Sequence, residues 1–194
     1  MNAMTLARSE FILGGQRSGK SRRAELLAQQ WLGQSGEHRA VLIATARPWD
    51  DEMRERIRRH QQDRAERVRG MVTVEEPVQL AQALLQHSAA HTLVVVDCLT
   101  LWLTNLLMPA PGLEIKDAAQ AAWELAGLLV EAIESAPGPL VLVGNEIGLG
   151  VIPMGRETRS FVDALGQLNQ QVAGACERVT LMAAGLPLTL KAPL

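Results

Sequence analysis

The chain has 194 residues, of which 47% are apolar and 21% charged; that is enough for one sizeable α/β core and excludes a disordered chain. The formal net charge of −2 leaves no electrostatic footprint for nucleic acid. Two cysteines, Cys98 and Cys176, are too few for a disulfide framework and have no metal-ligand neighbours at short spacing, so both read as buried thiols in a reducing cytoplasm.

Short β-branched runs alternate with helical periods along the chain. The opening MNAMTLARSEFIL has no apolar stretch fit for a signal peptide or a membrane span, and the longest apolar runs, such as Leu93–Val96, are strand-sized. Phe11–Leu13 predicts a first strand. It is followed by Gly14, Gly15, Gln16, Arg17, Ser18, Gly19, Lys20 and Ser21, which spell G-x-x-x-x-G-K-S, and then by a run of helix formers over 20–33. A phosphate-binding loop needs this order. Glycine permits backbone angles that turn successive N–H groups toward an anion, Lys20 adds a point charge for the β and γ phosphates, Ser21 offers a hydroxyl to Mg²⁺, and the helix presents its positive end.

Ala40–Ala44 predicts a second strand and 50–67 a second helix, the latter dense in Arg, Asp and Glu. On a helix Met53, Ile57, His60 and Arg64 share one face, and Arg56, His60 and Arg64 lie a turn apart. Cations beside His60 oppose a metal and suit an anion. They also favour the neutral, nucleophilic imidazole. From spacing alone a solvated surface histidine remains the plainer reading. A third helix is expected over 78–88 and a third strand over Thr92–Val96, closed by Asp97. Asp97 fits a carboxylate that positions Mg²⁺; a helix cap, with Thr100 at a cap-like offset, is the alternative.

Pro109–Gly112 reads as a loop, 115–136 as a helix, and Leu140–Val143 as a fourth strand closed by Asn145-Glu146. A helix over 157–176, a strand over Val179–Met182 and a weaker one over Leu188–Lys191 follow. Trp102 and Leu103 read as core. Apolar strands separated by helices predict a mostly parallel sheet covered on both faces: an α/β P-loop NTPase of RecA-like type, with residues 1–194 as one domain. A small-molecule kinase, a motor and a transferase all satisfy this much.

Longer blocks narrow the choice. GGQRSGKSRRAE at 14–25, IATARPWDDEMRERIRRHQQDR at 43–64, TVEEP at 73–77, VVDCLTLWLTNLL at 95–107, VGNEIGLGVIP at 143–153, RETRSFVDALGQLNQQVA at 156–173 and GLPLTLK at 185–191 together resemble the adenosylcobinamide kinase / adenosylcobinamide-phosphate guanylyltransferase family of cobalamin biosynthesis. The RIxxHxxxR and NExGxGxxP blocks are more diagnostic than the phosphate loop. The chain departs from the family at Ala65, where a proline is usual, and near Val68, where a tryptophan is usual.

The resemblance implies a bifunctional enzyme. One step phosphorylates adenosylcobinamide with ATP or GTP. The other transfers GMP from GTP through a GMP-histidine intermediate, giving adenosylcobinamide-GDP and pyrophosphate. It places His60 as the nucleophile and, with the loop from Gly14 to Ser21, implies that Ala44, Thr45, Ala46, Gln61, Gln62, Asp63, Arg64, Glu75 and Asp97 line the nucleotide, with Ser21 and Asp97 on Mg²⁺. It also implies a homotrimer. For Glu75 an exposed carboxylate beside Glu76 is the plain alternative. A kinase without the transferase, and a non-catalytic nucleotide-binding subunit, are the competing functions.

Overall fold

The computed structural model describes residues 6–48, 51–109, 112, 116–151 and 153–193, apart from the side chains of Glu52, Met53, Arg56, His60, Gln61, Asp63, Arg64 and Ala65. In chain order the elements are β1 (Ser9–Gly14), α1 (Lys20–Gln34), β2 (Arg39–Ala44), α2 (Asp51–Arg67), β3 (Met71–Glu75), α3 (Leu80–His87) and β4 (Thr92–Asp97), then α4 (Leu99–Leu107), α5 (Ala118–Ser135), β5 (Leu140–Val143), α6 (Arg156–Ala175), β6 (Arg178–Ala183) and β7 (Leu186–Lys191). The strands form one sheet in the order β3-β2-β4-β5-β1-β6-β7. All neighbours are parallel except β6 and β7, which close the sheet as an antiparallel hairpin.

Alternation along the strands sorts the core into two layers. Phe11, Leu13, Ile43, Val94, Val96, Leu140 and Leu142 face α3, α4, α5 and α6. Ile12, Leu42, Leu93, Val95, Val141 and Val143 face α1, with Val68, just past α2, packed into the same layer. Both faces of the central strands are therefore covered, as the continuous apolar runs require.

Two elements were not expected. The edge strand β3 is at most half-buried, and its Met71, Val72 and Val74 are interrupted by Thr73 and closed by Glu75, so its five residues make no continuous apolar run. Helix α4 is apolar nearly all round, with Leu99, Thr100, Trp102, Leu103, Asn105 and Leu106 buried, so no amphipathic period marks it. Trp102 is core, as expected; its indole N–H donates to the Val78 carbonyl at 2.8 Å. Strand β1 also begins earlier than expected, because the carboxylate of Glu10 is buried against Arg23 and Thr180 rather than ending the strand. No described helix is long and apolar enough to cross a membrane.

Candidate functional site

Strand register sets the site. Ala44 of β2 pairs with Glu75 of β3 on one side and Asp97 of β4 on the other, Asp97 pairs with Val143 of β5, and Val143 pairs with Ile12 of β1. Glu75, Ala44 and Asp97 thus stand at one level of the carboxyl edge, where ligands bind in open α/β sheets. The loop leaves β1 two residues beyond that level.

The loop's geometry depends on its glycines at two points. Gly14 has φ +151 and Gly19 φ +103. A Cβ on Gly14 would fall on the Met182 carbonyl, and one on Gly19 would sit 3.3 Å from Gly185 Cα. The hairpin between β6 and β7 therefore braces the loop, and the Gly185 N–H donates to the Ser18 carbonyl at 3.0 Å. Ser18 is buried, whereas Gly15, Gln16 and Arg17 form the exposed rim. Gly19 is the N-cap of α1, and no side chain caps it. The first-turn N–H groups, which have no partner within the helix, are left for an anion.

Lys20 folds back over the loop. Its Nζ donates to the carbonyls of Gly14 at 2.9 Å and Gly15 at 2.7 Å. A polyphosphate entering the loop would draw the ammonium from these neutral acceptors to charged ones, which bind it more strongly. Ser21 Oγ donates to Asp97 Oδ2 at 3.0 Å. The hydroxyl and carboxylate expected to serve one Mg²⁺ therefore converge, although 76 residues separate them. Among the described residues no group of three or more His, Cys, Asp or Glu converges. Mg²⁺ does not need one, since it keeps water and phosphate oxygens alongside one or two protein ligands. The donor set fits the ion. Asp97 does not cap α4: the N-cap is Cys98, with no side-chain cap bond.

Thr45 is fully buried, and its hydroxyl both donates to the Cys98 carbonyl at 2.7 Å and accepts from the Cys98 N–H at 2.9 Å. Its own carbonyl accepts from Asn105 Nδ2 at 2.7 Å. Thr45 thus locks the end of β2 to the end of β4, with Ala44 and Ala46 half-buried on either side. Glu75 is exposed, while the neighbouring Glu76 holds the turn that leads into α3, accepting from the N–H groups of Val78 and Gln79.

Helix α2 carries His60, Gln61, Asp63 and Arg64 in its backbone; their side chains lie outside the described residues, and Gln62 is exposed. Local pairs dress the helix. Arg54 bonds Asp51 and Arg58 bonds Glu55 at 2.7 Å each, and the Arg58 hydrogen bond holds the Glu55 carboxyl below its usual range. Its described tie to α1 is at the far end, where Arg67 Nη1 meets Glu25 Oε2 at 3.1 Å beside the buried Val68.

Two groups escaped the sequence reading. Glu10 is fully buried, accepting from Arg23 Nε and Thr180 Oγ1 at 2.8 Å each, with Arg178 Nη1 at 3.6 Å. Asn169 is buried within the apolar stripe of Leu165, Leu168 and Val172 on α6, and its Nδ2 donates to the Asn145 carbonyl at 3.1 Å. A charge next to the FIL run, and an amide inside an apolar stripe, were the available signals. Arg159, in the first turn of α6, donates to the carbonyls of Pro153 and Met154.

Residues 10–190 match the family described as cobinamide kinase / cobinamide phosphate guanyltransferase. The chain is 45% identical to the bifunctional adenosylcobalamin biosynthesis protein CobP of Pseudomonas aeruginosa, over 94% of this chain and 96% of that protein. It is 35% identical to the bifunctional adenosylcobalamin biosynthesis protein CobU of Escherichia coli and 33% identical to that of Salmonella typhimurium, in each case over 93% of this chain and 98% of the relative.

Proposed function

The chain belongs to the cobinamide kinase / cobinamide phosphate guanyltransferase family, and from that premise we propose that its one phosphate loop serves two successive transfers. The protein is a bifunctional enzyme of cobalamin biosynthesis, a kinase and a guanylyltransferase. The observation that supports the use of this site is the meeting of Lys20, Ser21 and Asp97 at the carboxyl edge of β1 and β4.

In the first step the aminopropanol hydroxyl of adenosylcobinamide attacks the γ phosphorus of ATP or GTP. The γ–β bridging bond breaks, the nucleoside diphosphate departs, and the hydroxyl proton is lost to solvent. Lys20 and the N–H groups of the loop hold the non-bridging oxygens. Ser21 and Asp97 would hold Mg²⁺, which offsets polyphosphate charge when bound. In the second step a ring nitrogen of His60 attacks the α phosphorus of GTP and pyrophosphate leaves. The phosphate oxygen of adenosylcobinamide phosphate then displaces the histidine, giving adenosylcobinamide-GDP. A covalent relay splits one hard transfer into two easier ones. Ala44, Thr45 and Ala46, with Gln61, Gln62, Asp63 and Arg64 on α2, would enclose the nucleotide, and Glu75 would reach its base or ribose. Thr45 serves through the shape it gives the strand ends, since its side chain is already committed.

We also infer a homotrimer acting in the cytoplasm. Exposed Leu186, Leu188 and Leu190 on edge strand β7, with Leu149, Val151 and Met154 81–97% exposed in the loop before α6, supply apolar surface of the kind that marks an interface. Two buried, unpaired cysteines are in keeping with a reducing compartment.

GTP labelled at its α phosphorus tests the relay. Wild-type protein should retain label through denaturation, with the acid lability and base stability of a phosphoramidate. His60→Ala should lose the label and guanylyl transfer while keeping much of its kinase activity. Label on His60→Ala at the wild-type level would place the nucleophile elsewhere, and an unlabelled wild type with an active kinase would leave a kinase alone.

A further inference from the structure

Strand β5 lies between the strand that feeds the phosphate loop and the strand that ends in Asp97. Its continuation is tied down from three directions. The Gly144 N–H donates to the Ile12 carbonyl at 3.0 Å, and the Glu146 N–H donates to the Gly14 carbonyl at 3.1 Å. The Asn145 N–H donates to Thr100 Oγ1 of α4 at 2.8 Å, and the Asn145 carbonyl accepts from Asn169 Nδ2 of α6. A Cβ at position 144 would strike the Phe11 ring at 2.9 Å, so a side chain there would have to displace that ring.

Asn169 is 5% exposed, and its Oδ1 has no hydrogen-bond partner among the described residues. The amide is turned so that its Nδ2 holds the Asn145 backbone carbonyl. The side chain of Asn145, in contrast, is half-buried and makes no hydrogen bond among the described residues. Both backbone polar groups of Asn145 are fixed and its side-chain amide is left uncommitted, one strand from Asp97 and beside the loop. Glu146 is not equivalent, because its Oε1 accepts from the Gly148 N–H at 2.7 Å. Cys98 is no rival: burial pushes its thiol up to about 12.

We propose that the Asn145 amide is a further catalytic residue of the kinase step, donating to a non-bridging oxygen of the γ-phosphoryl group as it transfers. This rests on the kinase reading above. A donor carried on a backbone already fixed has little reorganising to do as charge develops, and removing one such donor costs roughly 10²–10³ in kcat.

Asn145→Ala and the isosteric Asn145→Asp provide the test, with GDP and β,γ-imido-GTP as probes in equilibrium titrations. Both variants should keep the wild-type thermal midpoint and GDP affinity within about twofold. Both should lose roughly 10–100-fold in affinity for the imido analogue, the range of a hydrogen bond to a charged group, and roughly 10²–10³ in kinase kcat. Either variant with wild-type kcat and analogue affinity overturns the proposal. So does a parallel loss of GDP and analogue affinity, or a lowered midpoint, since each marks a structural role. If wild-type protein showed no kinase turnover the kinase reading would fail, and the two titrations would still decide whether Asn145 contacts a γ phosphate.

Discussion

Lys20 sits 2.7–2.9 Å from two loop carbonyls, so its ammonium is already placed where a triphosphate would enter. On the proposed reading both transfers draw on that charge. Lys20→Ala is expected to lower kcat of both the kinase and the guanylyl transfer by about 10²–10³-fold, measured with purified protein and each acceptor; a wild-type rate in either step would remove the loop from that step. The cysteines behave oppositely. Burial raises Cys98 to about 12, reinforced by the Asp97 charge, and raises Cys176 to about 12. A raised thiol pKa means less thiolate at any pH below it, roughly one part in 10⁴ at pH 8. Native protein should therefore leave both thiols unreacted with a thiol-specific disulfide reagent at pH 8, and denatured protein should titrate two. Rapid native labelling would contradict the burial.

At the scale of elements, α1 and α2 are held in different ways. Helix α1 packs Ala24, Leu27 and Ala28 on the sheet, and its first turn is pinned to β1 by the Arg23–Glu10 pair, whose side chains are 11% and 0% exposed. Removing one partner of a buried pair strands the other charge. Arg23→Met should cost about 2–3 kcal/mol in urea unfolding, with Thr180 and Arg178 compensating only in part. An unchanged unfolding midpoint would show that the pair contributes nothing net. Helix α2 has exposed charges along its described length and meets α1 in an ion pair at its C-terminal end. Among its described side chains, the Arg54–Asp51 and Arg58–Glu55 pairs lie within the helix.

Across the whole molecule the sheet is asymmetric. One edge is the five-residue β3, with Val72, Thr73 and Glu75 exposed. The other is β7, whose residues are all exposed and alternate leucine with Pro187, Thr189 and Lys191. An uncovered apolar edge is a liability for a monomer and an asset for an assembly. Sedimentation equilibrium should give three times the 21.1 kDa chain mass, and Leu188→Glu with Leu190→Glu should shift it toward one. A wild-type monomer, or a double variant that stays assembled, would place contacts elsewhere.

The sequence by itself determined whatever local chemistry dictates. Glycines at fixed offsets before Lys20 and Ser21 made the phosphate loop legible, because few other functions demand that backbone. Continuous apolar runs gave the central strands, because a strand buried on both faces has nowhere to put a polar side chain. The blocks from GGQRSGKS to NEIGLGVIP gave the family. Tertiary structure decided what depends on contacts between distant residues. The pairing of Ser21 with Asp97 follows from strand order, which no local pattern states. Strand β3 exists because β2 offers it an edge, and α4 because the core around Trp102 takes up most of its surface. Glu10 looked like a strand's limit until Arg23 supplied its counter-charge. Asn145 was visible as a letter in a motif, but the uncommitted state of its amide emerged only once Thr100 and Asn169 were brought to its backbone from two other helices.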